Sequence, residues 1–187
     1  IKWFYKFYMK LYDLKSFYII TDIKEHKEQK DRLLSLIDNM EESSLDNITK
    51  TDWTLPRETK REYKDLFLNM IQPYMRMMMK QFNFKECKID NVWYQSYGKN
   101  STHDWHVHAG VNYTNVYYLN LPDETIKTQL YDMKDNKILN EIEVKEGQLF
   151  TFPANILHRS PLNTSDNIKT IISFNSNFDD YAGNNND

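Results

Sequence analysis

Cysteine is nearly absent: Cys87 is the only one in 187 residues. That excludes an internal disulfide and any cysteine-based zinc cluster, and it suits a reducing cytoplasm. Burial as an inert thiol is the expected role for Cys87. No stretch approaches the roughly 18 consecutive apolar residues that a membrane helix requires, and with 40% hydrophobic residues the chain reads as soluble. An excess of one charge is lacking too, since a net charge of −3 leaves no basic footprint for nucleic acid. Internal repeats are missing, and the only low-complexity stretch is the tail, residues 181–187 with "GNNND", which reads as disordered. The chain opens "IKWFYKFYMKLYDLK" with no initiator methionine. Ile1 to Tyr8 therefore reads as vector, upstream read-through or a trimmed segment, with Met9 a candidate native start. No small-residue cleavage site follows an apolar block, so it does not read as a secretory signal.

What is present divides into a helical first half and a strand-rich second half. After an N-terminal extension of uncertain origin, residues 1–15, a single domain is expected over 16–180, its helical part at about 24–80 and its strands at about 90–178. "SFYIITDI", Ser16 to Ile23, is β-branched and aromatic and predicts a strand; a charged helix follows from about Lys24 to Met40, with Leu33, Ile37 and Met40 on one face. "EESSLDNITKTDWTLP" reads as a loop. From Thr59 to about Lys80, Tyr63, Leu66, Phe67, Met70, Ile71, Tyr74 and Met78 fall at spacings of three and four, predicting an amphipathic helix that Pro73 kinks. The "MRMMMK" run within it reads as flexible filling of a core.

Beyond Asp90 the period shortens to two. "NVWYQSY", "DWHVHA", "NVYYLNL", "IKTQLY", "ILNEIEV", "QLFTF" and "IKTIISFN" are short, β-branched or aromatic, and separated by turn material such as "GKNST", "PDET" and "KEG". So many closely spaced strands predict a sandwich or barrel of the jelly-roll type, with the helices outside: an α+β fold.

Three of the five histidines crowd into "HDWHVH", His103 to His108. In a strand, Asp104, His106 and His108 share one face and Trp105 and Val107 the other. A solvent-facing strand with two ordinary histidines is the simpler account of this segment alone. Burying a row of imidazoles, however, costs a few kcal/mol per group unless something satisfies them, and a divalent metal satisfies two at once. A later segment, "GQLFTFPANILHRSPL", returns the chain with the single His158, which can close a site opened by the strand-borne pair. Three protein ligands with open positions and imidazole donors suit iron or zinc rather than magnesium or calcium. In "NIKTIISFN", Lys169, Ile171, Ser173 and Asn175 alternate with Ile168, Thr170, Ile172 and Phe174. If Lys169 shares the metal-bearing face it is a buried cation that needs an anion, such as a dicarboxylate reaching from metal to ammonium. The remaining histidines carry less. His103 lies on the opposite face or in the preceding turn, and His26, in a charged helix, reads as solvated. Arg159 is placed to meet a substrate or to cap the mouth of the site.

His-x-His, "NVYYLNLP", "EGQLFTFPANILHRSP" and "KTIISFN", taken together and in order, resemble the iron(II)- and 2-oxoglutarate-dependent oxygenase superfamily, and look most like the oxygenases of marine tailed phages and bacteria. The resemblance covers Val92 to Asn177, a little under half of the chain. It implies a double-stranded β-helix, a cupin-like barrel flanked by N-terminal helices. The implied activity is a dioxygenase that couples decarboxylation of 2-oxoglutarate to succinate with C–H oxidation of an unknown small-molecule or peptide substrate. Fe(II), 2-oxoglutarate and dioxygen are the implied partners, in the cytoplasm of a bacterial host if the chain is phage-encoded. His106, His108 and His158 fall on the metal positions, and His108 stands where relatives carry a carboxylate. Either three histidines hold iron, or Asp104 supplies the carboxylate from the unusual side; a third reading takes His108 and Gly110 as the His-x-Gly of halogenating relatives. Lys169 stands where relatives often have Arg, with Ile171 where a Ser is usual. Tyr94, Tyr117 and Ser173 are candidates for further hydrogen bonds to the distal carboxylate. The alternative from another class is a cupin-like barrel that binds a metal or small ligand without oxygenase activity.

Overall fold

The computed structural model describes residues 10–40, 43–44 and 49–178. The expectations for Ile1 to Met9 and for the tail 181–187 lie outside the described residues. The elements in order are β1 (Ile19–Asp22), α1 (His26–Asp38), β2 (Ser43–Ser44), β3 (Thr49–Thr51), α2 (Glu62–Phe82), β4 (Cys87–Tyr97), β5 (His103–His106), β6 (Tyr113–Asn120), β7 (Gln129–Asp132), β8 (Lys137–Ile138), β9 (Gln148–Pro153), β10 (His158–Ser160) and β11 (Lys169–Phe178). One sheet has the order β1-β9-β6-β11-β4-β3-β2 and a smaller one β5-β10-β7-β8. Every pairing is antiparallel.

The larger sheet is covered on both faces, which is why its strands are apolar on both. Against one face lie the helices: Leu33 and Ile37 of α1 and Tyr63, Phe67 and Ile71 of α2 share a core with Tyr94, Tyr117, Ile172 and Phe174. Against the other, Tyr97, Val116, Tyr118, Phe150 and Ile171 pack with Leu130 of the smaller sheet. β11 pairs with β4 on one side and β6 on the other, and its alternation sends Ile172 and Phe174 to the helices and Ile171 toward the smaller sheet.

α2 follows the apolar spacing and runs unbroken through Pro73, whose missing N–H leaves the Asn69 carbonyl without its usual intrahelical donor. It ends where Asn83 takes the left-handed conformation, φ 58°, and the Phe84 N–H bonds the Met79 carbonyl at 2.9 Å. Met75 and Met78 of the methionine run are buried in the core, while Met77 is exposed.

Four expectations are corrected. The segment read as a loop contains β2 and β3; the β-branched Thr49 and Thr51 are buried, and β3 continues the sheet beside β4. β4 starts earlier than expected because Asn91, at φ 48°, forms a bulge that lets Cys87 to Asp90 keep pairing with β11. The strand expected through His108 stops at His106, although the His108 N–H still bonds the Ala154 carbonyl at 2.9 Å. In "ILNEIEV" only the start is strand, yet Ile142 and Val144 are buried. An extended chain lying on a core alternates its apolar residues without a ladder partner.

Candidate metal centre

His106 and His158 are direct partners across β5 and β10, so the antiparallel ladder itself places two imidazoles side by side, ring centroids 4.2 Å apart. His108, just past β5, completes the group at 5.3 Å from His106 and 5.1 Å from His158. One ring nitrogen from each lies within 4.8 Å of the others. The Nδ1 atoms are all held by groups that can only accept: His106 by the Asp104 carbonyl at 2.7 Å, His108 by Asn175 Oδ1 at 2.6 Å, and His158 by the Ile156 carbonyl at 2.9 Å. Each Nδ1 therefore carries a proton, which leaves Nε2 as the atom that each ring, in its neutral form, offers to a metal. Burial, reinforced by the neighbouring imidazoles, holds His158 down to about 3. Burial also lowers His108, where the bond to Asn175 partly opposes it. Rings whose Nδ1 donates to an oxygen and whose Nε2 is the atom left for coordination form a donor set fitted to a borderline metal such as iron(II). The Asp104 side chain is exposed and stands outside this group; its backbone carbonyl, not its carboxylate, serves the site.

His103, expected away from His106, stacks on it at 4.1 Å with the planes 17° apart. Its Nδ1 accepts from Gln95 Nε2 at 3.4 Å, and burial followed by repulsion from His106 and His108 pushes it down to about 4. A narrow cavity of about 30 Å³ runs between the sheets, lined by the four histidines together with Thr114, Thr128, Ser160, Ile171 and Ser173. Lys169 stands behind two of its walls: Nζ donates to Ser160 Oγ and to the Ile126 carbonyl, the latter at 2.7 Å, and lies 4.3 Å from the Tyr97 ring centroid. The residue is 1% exposed, and burial draws its ammonium down to about 7. Arg159 packs its guanidinium 4.5 Å over Trp105 and donates to Gln129 at 2.8 Å.

Of the proposed carboxylate-binding groups, Ser173 faces the cavity. Tyr94 and Tyr117 do not: Tyr94 packs edge-on against Tyr63 of α2, and Tyr117 meets His26, its hydroxyl 2.7 Å from Nδ1. The inward residues of those strands are their neighbours Trp93, Gln95, Tyr97 and Val116. His26 is accordingly not solvated, since it is wedged between Tyr117 and Glu146 with its side chain 15% exposed. Sequence reasoning gave no role to Asn175, Thr114 or Gln95; for Asn175 the signal existed, because alternation already put it in the row of Lys169. Beyond His108, on the side away from Lys169, a groove of about 520 Å³ opens between Phe84, Tyr113, Asn155 and Phe178.

No protein-family model matches the sequence, and no curated protein is similar to it in sequence. Solved structures do match in fold. An oxidoreductase of the 2OG-Fe(II) oxygenase family from Burkholderia pseudomallei superposes with a TM-score of 0.70 at 11% identity, covering 86% of this chain and 84% of that one. The chain has the fold of the 2OG-Fe(II) oxygenases. The viral collagen prolyl hydroxylase vCPH of Paramecium Bursaria Chlorella virus-1, in complex with 2-oxoglutarate, has this oxygenase fold too, with a TM-score of 0.59, 15% identity and coverage of 85% and 94%. So does HygX from Streptomyces hygroscopicus with nickel and 2-oxoglutarate bound, with a TM-score of 0.62, 9% identity and coverage of 86% and 82%. Among the described residues no helix is long and apolar enough to cross a membrane.

Proposed function

We propose that this chain is an Fe(II)- and 2-oxoglutarate-dependent dioxygenase, a hydroxylase built on a double-stranded β-helix. One observation carries the reading. Three imidazoles, each with Nδ1 engaged by an oxygen acceptor, gather around one cavity with a ring nitrogen of each within 4.8 Å of the others, and a fully buried lysine stands behind the cavity's wall at Ser160 and Tyr97. Iron(II) bound there would supply the redox chemistry that couples loss of carbon dioxide from 2-oxoglutarate, giving succinate, to insertion of an oxygen atom of dioxygen into a C–H bond.

The protein's own residues do the rest. His106, His108 and His158 hold the metal and leave positions for the cosubstrate. Lys169 neutralises the distal carboxylate as a point charge, and that anion restores the proton that burial weakens. Ser160 and Tyr97, which already touch Nζ, shape the end of the slot. Structures with this fold include a collagen prolyl hydroxylase and a protein with hygromycin B bound, so substrate choice rests on the groove beyond His108. Its lining has no acidic or basic side chain apart from that histidine, which favours a neutral portion of a small molecule or peptide. A reducing cytoplasm would keep both iron and the half-buried Cys87 reduced.

The expected result is slow succinate formation from protein supplied with iron(II), 2-oxoglutarate and air, and none from His158→Ala. Wild-type protein that forms no succinate would instead be a cupin-like binding barrel.

A further inference from the structure

Thr114 lies in β6, across from Asn175 of β11 and Phe152 of β9. It is 1% exposed and lines the cavity that also holds His106, His108 and His158. Its Oγ1 has no hydrogen-bond partner, and it is alone in this among the buried side-chain nitrogens and oxygens of the described residues. A hydroxyl so placed costs free energy, and native interiors avoid it.

The neighbourhood obeys that rule closely. Next to Thr114, the Asn115 amide donates to the Phe174 carbonyl and to Ser176 Oγ, while its Oδ1 accepts from Thr151. Across the ladder, Asn175 is engaged by His108. A single breach inside a satisfied network, opening on a cavity, marks a group whose partner comes from outside the chain. Position says which part of a ligand that is. The residue opposite Thr114 is the one that holds His108, whereas Lys169 stands at the far end of the same inward row of β11. Being β-branched in a strand, Thr114 also has little rotamer freedom to lose when its hydroxyl is used.

We propose that Thr114 is a ligand-binding residue whose hydroxyl donates a hydrogen bond to the metal-proximal carboxylate of a 2-oxo acid bound along this cavity, an assignment that rests on the oxygenase reading above. A carboxylate oxygen only accepts, so the proton is the threonine's, and Lys169 takes the distal carboxylate.

The test is Thr114→Val, which keeps the shape and removes the hydroxyl, with Thr114→Ser as the rescue. Without ligand, Thr114→Val melts at the wild-type temperature or above it, because no bond is lost; a lower Tm would reveal a structural partner and overturn the assignment. Iron uptake is unchanged, and its loss would move Thr114 into the metal shell instead. Anaerobic calorimetric titration of the iron-loaded proteins then uses 2-oxoglutarate and oxalate, the latter a chelator too short to reach Lys169. Thr114→Val weakens both by roughly tenfold, the scale of a hydrogen bond to a charged group, and Thr114→Ser recovers most of it; Lys169→Met weakens only 2-oxoglutarate. Wild-type affinity of Thr114→Val for both acids, or a loss confined to 2-oxoglutarate, overturns the contact. Wild-type protein that takes up iron but neither acid overturns the oxygenase reading itself.

Discussion

Asn175 Oδ1 lies 2.6 Å from His108 Nδ1, joining residues 67 positions apart. β5 ends before His108, so this bond from the central strand of the other sheet takes over the orienting of a ring that the β5–β10 ladder no longer holds.

Asn175→Leu removes that acceptor and frees the ring to rotate or change tautomer. Iron affinity is expected to fall by about 10- to 100-fold, as when a ligand's outer partner is lost, with Asn175→Asp retaining most of it. Competition against a chelator measures this, and an unchanged affinity in the leucine variant would show that His108 is oriented without Asn175.

The two ligand sets left open by the sequence separate by mutation. His106→Ala, His108→Ala and His158→Ala each lose most bound iron, whereas Asp104→Asn keeps it, because that side chain is exposed and outside the cluster. Elemental analysis after anaerobic loading decides, and iron loss in the Asp104, His106 and His158 variants with His108→Ala spared would restore the carboxylate.

Lys169 makes stability depend on pH. Burial lowers its folded pKa to about 7 from 10.5, so between these values the unfolded chain binds the extra proton. Stability contributed at this site therefore rises with pH across that window, by at most about 1.4 kcal/mol per unit. Below it, both states are charged and the cost of burying the ammonium is complete. Urea unfolding of metal-free protein from pH 7 to 10 should show an upward component that Lys169→Met lacks. Iron with 2-oxoglutarate, by pairing the ammonium, should flatten it. Identical pH slopes in wild type and Lys169→Met would mean that Lys169 is not a buried cation.

Stability behind the sheet depends on Asp52, which is fully buried and accepts from Arg61 Nε at 2.7 Å, the Tyr63 hydroxyl at 2.7 Å and the Tyr94 N–H at 2.9 Å. One carboxylate ties the segment after β3 to α2 and β4. Asp52→Ala removes the acceptor these three donors share and is expected to cost about 3–5 kcal/mol, read as a lower urea midpoint, without changing iron stoichiometry in the folded protein. A loss below about 1 kcal/mol would mean water replaces the carboxylate.

Alternation by itself determined a good deal of this protein. It put Lys169, Ile171, Ser173 and Asn175 in one row, and spacing by threes and fours marked α2 with the buried face it has, because pleat and helical pitch are local properties of the backbone. The tertiary structure decided which row turns toward the histidines. Helices cover one face of the large sheet and the smaller sheet the other, so both rows are apolar and aromatic, and nothing in residue type corrects the expectation that Tyr94 and Tyr117 bond the distal carboxylate, when they face the helices. It also decided the contacts that complete the site: His103 on His106, Asn175 on His108, and Thr114 facing the cavity. These depend on where β5 stops and on which strands lie side by side in the ladder. Strand order joins residues far apart in the chain, and no local period encodes it.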